Sequence, residues 1–149
     1  MVESDSPEQT ERAAAEVAAA LQPGDVVFVR GPLGAGKTVF VRGACRGLGV
    51  TGRVTSPTYT VGNSYRGTAG LVSHLDLYRS RGLTIEELAD LEPYFEGAVC
   101  FVEWPELGEP MLPLPRLRIA IEPGQGDARL IRMLTSDPSL AGALGHPCA

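Results

Sequence analysis

Residues Gly31 to Thr38 carry a pattern of residue types and spacing that can bind a phosphate group. They read Gly-Pro-Leu-Gly-Ala-Gly-Lys-Thr, which fits a glycine, any four residues, and then Gly-Lys followed by Ser or Thr. Glycines allow backbone N–H groups to wrap around an anion, and the N-terminus of a following helix adds a positive dipole end. The lysine can reach the outer phosphates, and the hydroxyl of Thr38 can bind Mg²⁺. The pattern therefore predicts a nucleotide-phosphate site.

Lys37 is the only lysine of the chain, and the remaining basic residues are all arginines. Arginine therefore supplies every other positive charge. Lys37 marks a position where a compact ammonium does what a planar guanidinium cannot. The absence of a second lysine also argues against a GTPase, because the Asn-Lys-x-Asp segment that selects guanine cannot occur in this sequence. Adenine is the expected base.

The segments on either side of the glycine-rich loop are predicted to be the elements that position it. Residues 25–30 form a short apolar, β-branched run that is typical of a buried strand. Residues 39–48 place apolar side chains on one helical face, and glycines at 47 and 49 end the pattern. The order of strand, loop and helix is the one that points a helix N-terminus at a bound anion.

Two carboxylates lie in or directly after predicted strands and could serve the same site. Glu103 comes directly after the apolar run 99–102, and Asp76 lies within the candidate strand 71–78. A nucleotide site of this type needs a carboxylate at the end of a second strand, which holds Mg²⁺ directly or through water. The residues leave open which carboxylate binds the metal and which positions water.

Two further residues near these carboxylates have less specific interpretations. Trp104 either packs in the core or forms a platform close to the nucleotide. His74 stands alone, and a lone histidine is more often structural than catalytic.

The rest of the chain is predicted to complete a single domain over residues 1–134. Ser6 and Pro7 open an alanine-rich helix that ends at Leu21, and Thr84 with Glu87 forms a capping box for a short helix that stops near Pro93. Residues 51–70 read as exposed loop or edge strand, and residues 116–122 and 128–134 read as a hairpin. Residues 135–149 mix Gly, Pro, Ser and Ala, which predicts a loose C-terminal tail.

Composition excludes several classes of protein. The net charge of −5 makes this chain a poor nucleic-acid binder on its own, because phosphate contacts need a basic face. Apolar runs such as 26–29 and 99–102 are far too short to span a bilayer, and the acidic N-terminus does not resemble a secretory signal. The three cysteines are far apart and lack Cys-x-x-Cys spacing, which indicates free thiols in a reducing cytoplasm.

Four motifs in this order and spacing resemble the bacterial TsaE family. They are Gly31–Thr38, Thr55–Thr60 (Thr-Ser-Pro-Thr-Tyr-Thr), His74–Arg79 (His-Leu-Asp-Leu-Tyr-Arg) and Val102–Pro105 (Val-Glu-Trp-Pro). TsaE is the small ATPase of tRNA threonylcarbamoyladenosine synthesis, and the resemblance extends over about residues 6–134. It implies an α/β P-loop NTPase fold with a central, mostly parallel sheet, with helices on both faces and a C-terminal antiparallel hairpin.

The resemblance also implies roles for particular residues. Mg-ATP would be bound at Leu33–Thr38, with the metal contacted by Thr38 and Glu103. Lys37, Asp76 and Glu103 would be needed for catalysis, and Ser56, Pro57 and Thr58 would lie in a switch-like loop that meets partners. The residues expected to bind the nucleotide are Gly31, Leu33, Gly34, Ala35, Gly36, Lys37, Thr38, Trp104 and Gly126.

The resemblance names partners as well. Family members join TsaB and TsaD, and ATP hydrolysis is thought to reset that assembly, so tRNA would be reached only through partners. The sequence departs from the family after Gly126, where Asp127 stands instead of a frequent arginine and Arg129 follows two residues later. A small-molecule kinase with a lid in 80–97 and an ATP-gated binding module with incidental hydrolysis are the alternative functions.

Overall fold

Two short strands at the middle of the sheet are apolar at every position except their last residues, Arg30 and Glu103, because both of their faces are covered. They contain the runs Val26–Val29 and Val99–Val102.

The computed structural model describes residues 1–57, 61–78 and 83–145. Its helices are α1 Pro7–Ala18, α2 Lys37–Gly47, α3 Ile85–Phe95 and α4 Pro138–Ala143. Its strands are β1 Val2–Ser4, β2 Val26–Arg30, β3 Gly62–Arg66, β4 Leu71–Asp76, β5 Ala98–Glu103, β6 Leu117–Pro123 and β7 Arg129–Leu134.

The strands of the described residues form one sheet in the order β1-β7-β6-β2-β5-β4-β3. The four central strands, β6, β2, β5 and β4, are parallel, and the strands outside them pair antiparallel. Glu103 at the end of β5 is opposite Asp76 of β4 on one side and Val29 of β2 on the other. The carboxyl ends of three neighbouring strands therefore meet at one edge, where parallel α/β sheets bind ligands.

Helices cover both faces of this sheet, as the sequence predicts. Side chains alternate along β2, so Val27 and Val29 pack with α1, α2 and α4, while Val26 and Phe28 pack on the α3 side. Strand β5 divides in the same way. The predicted fold class, mostly parallel with a C-terminal antiparallel hairpin, is confirmed by the topology.

Two predicted helix ends differ from the structure, and one short strand was not predicted. Helix α1 ends at Ala18, three residues before the predicted Leu21, and Pro93 lies inside α3, which continues to Phe95. Pro93 has no N–H to donate to the carbonyl of Ala89, and only two residues of the helix follow it. Strand β1 was not predicted, because its three residues are ordered by pairing with the distant strand β7.

The segment predicted to be a loose tail, residues 135–149, contains the helix α4 Pro138–Ala143, and its last four residues lie outside the described residues. Asp137 caps α4 by accepting hydrogen bonds from the N–H groups of Ser139 and Leu140, and Leu140 and Ala141 are buried in the core. Arg116 holds Asp137 and Asp25 at 2.7 Å each, which ties this segment to the start of β2. A single leucine among small residues is a weak sequence signal for a helix. Burial of Leu140 nevertheless attaches α4 to the core.

Helices α1 and α2 touch backbone to backbone at a glycine. A Cβ at Gly43 would overlap the backbone of Glu11, so Gly43→Ala is expected to lower the free energy of unfolding by about 1–3 kcal/mol. Gly142 in α4 has open space around its Cβ position, and Gly142→Ala is the matched control, expected to be neutral or to raise stability by about 0.5–1 kcal/mol. Urea unfolding of both variants measures this, and equal midpoints would contradict the close packing.

No helix in the part of the chain that the structure describes is long and apolar enough to cross a membrane.

Candidate functional site

The loop between β2 and α2 has a backbone that only glycine adopts readily. Gly34 and Gly36 have φ of +77° and +98°, in the left-handed region that disfavours side chains. A Cβ at Gly31 would lie 2.6 Å from the carbonyl oxygen of Ile121 in β6, so this position needs glycine for close approach. The sequence pattern of glycines is thus explained by the geometry of the loop.

The N-terminus of α2 differs from those of the other helices. Side chains of Ser6, Thr84 and Asp137 accept hydrogen bonds from the first N–H groups of α1, α3 and α4. Helix α2 has Gly36 at its N-cap, and no described side chain caps it. Its first N–H groups are therefore available to an anion, which the positive end of the helix dipole also favours.

Lys37 lies buried at the base of this loop. Its ammonium donates hydrogen bonds to the carbonyls of Gly31 at 2.7 Å and Pro32 at 2.9 Å, and it lies 4.2 Å from the ring centre of Trp104. Burial lowers the pKa of Lys37, and the negative charges of Glu103, Asp76 and Glu106 act in the opposite direction. The lysine thus places a compact positive charge between the loop and the carboxylates.

Glu103 is the centre of a buried hydrogen-bonded group. Its Oε1 accepts a hydrogen bond from the Thr38 hydroxyl at 3.0 Å and lies 2.7 Å from Nε2 of His74. Glu103 is 2% exposed and His74 is fully buried. The histidine fixes the carboxylate beside Thr38, a positioning role that the sequence did not predict. His74 reaches Glu103 only because β4 and β5 pair in parallel, which no local pattern reveals.

Asp76 ends β4 beside Glu103 and faces the same cavity. One of its carboxylate oxygens accepts a hydrogen bond from the Ser56 hydroxyl at 3.1 Å, and the other accepts one from the N–H of Tyr78 at 3.0 Å. Ser56 belongs to the predicted switch-like loop and lines the cavity, and Pro57 is buried next to it. Thr58, the third predicted residue of that loop, lies outside the described residues.

A cavity of about 460 Å³ joins these groups, a volume suited to a small-molecule ligand. Trp104, whose backbone is left-handed at φ 55°, forms one wall and packs against Tyr78, with ring centres 4.8 Å apart and ring planes tilted by 38°. Of the residues predicted from the sequence, the structure brings together at this cavity Leu33, Gly34, Gly36, Lys37, Thr38, Ser56, Asp76, Glu103 and Trp104.

Three predicted nucleotide-binding residues do not line this cavity in the described structure. Gly31 lies against the backbone of Ile121 in β6, and Ala35 is buried in the core. Gly126 lies in the β6–β7 turn, outside the cavity lining. Gly126 is connected to the loop through Arg129, whose guanidinium bonds to the carbonyls of both Gly126 and Ala35. Arg129 was left without a role by the sequence and is here in direct contact with the glycine-rich loop.

The oxygen atoms at the cavity suit a hard divalent cation. Thr38 and Glu103 present a hydroxyl and a carboxylate 3.0 Å apart, with Asp76 on the adjacent strand. The described residues contain no group of three or more His, Cys, Asp and Glu that would enclose a metal by themselves. Mg²⁺ does not need such a group, because it is usually held by one or two carboxylates together with phosphates and water. The residues therefore fit Mg²⁺ bound with a nucleotide.

A strand, a glycine-rich loop and an uncapped helix beside a carboxylate on a neighbouring parallel strand define a P-loop fold. Within this class, the family model described as "Threonylcarbamoyl adenosine biosynthesis protein TsaE" matches residues 4–131. The chain belongs to this family, which acts in tRNA threonylcarbamoyladenosine biosynthesis.

Individual relatives agree with this assignment. The chain is 43% identical over 127 residues to the tRNA threonylcarbamoyladenosine biosynthesis protein TsaE of Bacillus subtilis, covering 85% of this chain and 79% of the relative. It is 42% identical over 110 residues to the protein of that name from Streptomyces coelicolor, covering 72% and 74%. The crystal structure of Bacillus subtilis YdiB matches with a TM-score of 0.80 and 36% identity, covering 97% of this chain and 92% of that one.

Proposed function

We propose that this protein is a Mg-dependent ATPase of the cytoplasm that supports tRNA threonylcarbamoyladenosine modification by binding and resetting a TsaB–TsaD complex. The observation that carries the ATP-binding step is the uncapped N-terminus of α2, with the ammonium of Lys37 beside it and the Thr38–Glu103 pair facing the same cavity. Positive groups on one side and oxygen ligands on the other are what a metal-bound triphosphate requires.

Each side chain of the site has a role in this proposal. Lys37 gives up its contacts with Gly31 and Pro32 and donates to phosphate oxygens, and Thr38 and Glu103 hold Mg²⁺. Bound Mg²⁺ neutralises charge on the phosphates and helps orient them. Asp76 accepts a hydrogen bond from the attacking water and orients it, since its carboxylate faces the cavity beside Glu103.

The contact between Ser56 and Asp76 suggests how the nucleotide state reaches partners. Ser56 donates a hydrogen bond to the carboxylate of Asp76. A movement of that carboxylate would therefore change the position of Ser56 and of the predicted switch-like loop, which also contains Pro57 and Thr58. Loops of this kind order around the outer phosphate and relax after hydrolysis. The loop would then present one surface to TsaB–TsaD before hydrolysis and another after it.

Reconstitution tests the proposed function directly. TsaB, TsaD, tRNA and ATP are combined with and without this chain, and modified tRNA is counted per TsaD molecule. Many turnovers are expected with the chain and about one without it, because resetting is needed only after the first product. Phosphate transfer to added nucleosides or sugars, rather than release to water, would favour the kinase. Full support by a variant that binds ATP without hydrolysing it would favour a binding module.

The isolated chain is expected to bind tRNA weakly at physiological salt. Its net charge is −5, and the segment 84–96 around α3 contains five acidic side chains and no basic one, so too few phosphates can be neutralised. Filter binding should give a dissociation constant above roughly 10 μM. Addition of TsaB–TsaD should bring this chain to tRNA. Submicromolar, saturable binding by the chain alone would contradict action through partners only.

A further inference from the structure

Arg129, the first residue of β7, joins the β6–β7 hairpin to the glycine-rich loop. Its Nε donates a hydrogen bond to the carbonyl of Ala35 at 2.8 Å, and its Nη1 donates to the carbonyls of Gly126 at 3.0 Å and Ala128 at 2.7 Å. One guanidinium therefore holds three backbone oxygens, two in its own hairpin and one in the loop. A rigid, planar group with several donors suits this task.

The carbonyl of Ala35 belongs to the peptide unit that it shares with Gly36. The peptide is trans, so its N–H points in the direction opposite to its carbonyl oxygen. Because Arg129 holds the oxygen, it also fixes the N–H of Gly36 away from the hairpin. No acceptor among the described residues bonds to this N–H, and Gly36 lines the cavity.

The residues on either side of Ala35 give this peptide unit little rigidity of its own. Gly34 and Gly36 are both glycines in the left-handed region, and glycine has the largest number of accessible backbone conformations. A contact from outside the loop is needed to select one orientation. Arg129 supplies that contact, at a sequence distance of 94 residues from Ala35.

We propose that Arg129 is a positioning residue for anion binding, which keeps the N–H of Gly36 directed toward the cavity by holding the carbonyl of Ala35. The proposal rests on the proposed nucleotide-binding function and assigns Arg129 a role through the backbone, without contact to the ligand. The alternative is a purely structural role, in which Arg129 only closes the hairpin turn through Gly126 and Ala128. In that case the affinity for phosphate does not depend on Arg129.

Three variants separate these roles. Arg129→Ala removes all three hydrogen bonds. Arg129→Lys keeps the positive charge, but an ammonium cannot replace the planar guanidinium with its fixed donor directions. Arg132→Ala is the matched control, because Arg132 lies on the same strand and pairs with Glu122 away from the loop. Calorimetry then measures the affinity of each protein for ATP and for inorganic tripolyphosphate, and urea unfolding measures stability without ligand.

Both Arg129 variants are expected to bind tripolyphosphate and ATP roughly tenfold more weakly than the unaltered chain, whereas Arg132→Ala binds like the unaltered chain. Unchanged affinity in Arg129→Ala, with stability alone reduced, would overturn the proposal in favour of a hairpin contact. Unchanged affinity in Arg129→Lys would overturn it in favour of a simple charge effect, and this variant also decides the matter if Arg129→Ala does not fold. Failure of the unaltered chain to bind either ligand would instead refute the proposed function.

Discussion

Lys37→Ala is expected to lower the affinity for ATP by roughly a hundredfold or more. The ammonium is the one buried cation at the loop among the described residues, and it already occupies carbonyl acceptors at 2.7 and 2.9 Å. Removing it leaves phosphate oxygens facing Glu103 and Asp76 without a compensating side-chain charge. Calorimetry measures the affinity, and the fluorescence of Trp104, the only tryptophan, gives a second readout.

Lys37→Arg is the sharper variant, because it preserves the charge. The space at Lys37 is bounded by the carbonyls of Gly31 and Pro32 and by the ring of Trp104 at 4.2 Å, which fits a compact ammonium. A guanidinium is larger and planar, so we expect Lys37→Arg to bind ATP about as poorly as Lys37→Ala. Arg46→Ala, at the exposed far end of α2, is the control that should change little. Turnover like that of the unaltered chain in Lys37→Arg would refute the argument from the single lysine.

The sequence predicted those parts of the site that depend on neighbours along the chain. The strand before Gly31, the glycine-rich loop and the helix after Lys37 are contiguous, so their types and spacing specify them. The apolar run before Glu103 likewise predicted a buried strand that ends in a carboxylate. Each of these features arises from backbone conformation or from a continuous apolar run within about ten residues.

The parts that the sequence did not predict depend on contacts between distant strands. His74 reaches Glu103 because β4 lies parallel to β5, and Arg129 reaches Ala35 because the hairpin places β6 next to β2. The docking of α4 likewise depends on a core assembled from the rest of the chain, where Leu140 is buried. Register between distant strands is not encoded in a local pattern. The sequence therefore predicted only a structural role for His74 and no definite role for Arg129.

Glu103→Gln is expected to remove most of the effect of Mg²⁺ on ATP binding and to reduce hydrolysis by roughly a hundredfold or more. Glutamine retains an oxygen that can accept hydrogen bonds from the Thr38 hydroxyl and from His74, so the buried group and the fold should persist. Only the negative charge is lost. The free energy of unfolding, measured with urea, should therefore change little, whereas the dependence of ATP binding on Mg²⁺ should change strongly.

The affinity for ATP in the presence of a metal chelator distinguishes a metal-binding role of Glu103 from a general effect on ATP binding. Without Mg²⁺ a carboxylate repels the phosphates, so Glu103→Gln should bind metal-free ATP as well as the unaltered chain, or better. Glu106→Gln is the matched control. The negative charge of Glu106 also raises the pKa of Lys37, but Glu106 is exposed and does not line the cavity. If Glu103→Gln titrates with Mg²⁺ as the unaltered chain does, Glu103 is not the metal ligand. Asp76, the other carboxylate at this sheet edge, then takes that role, and Asp76→Asn should show the loss instead.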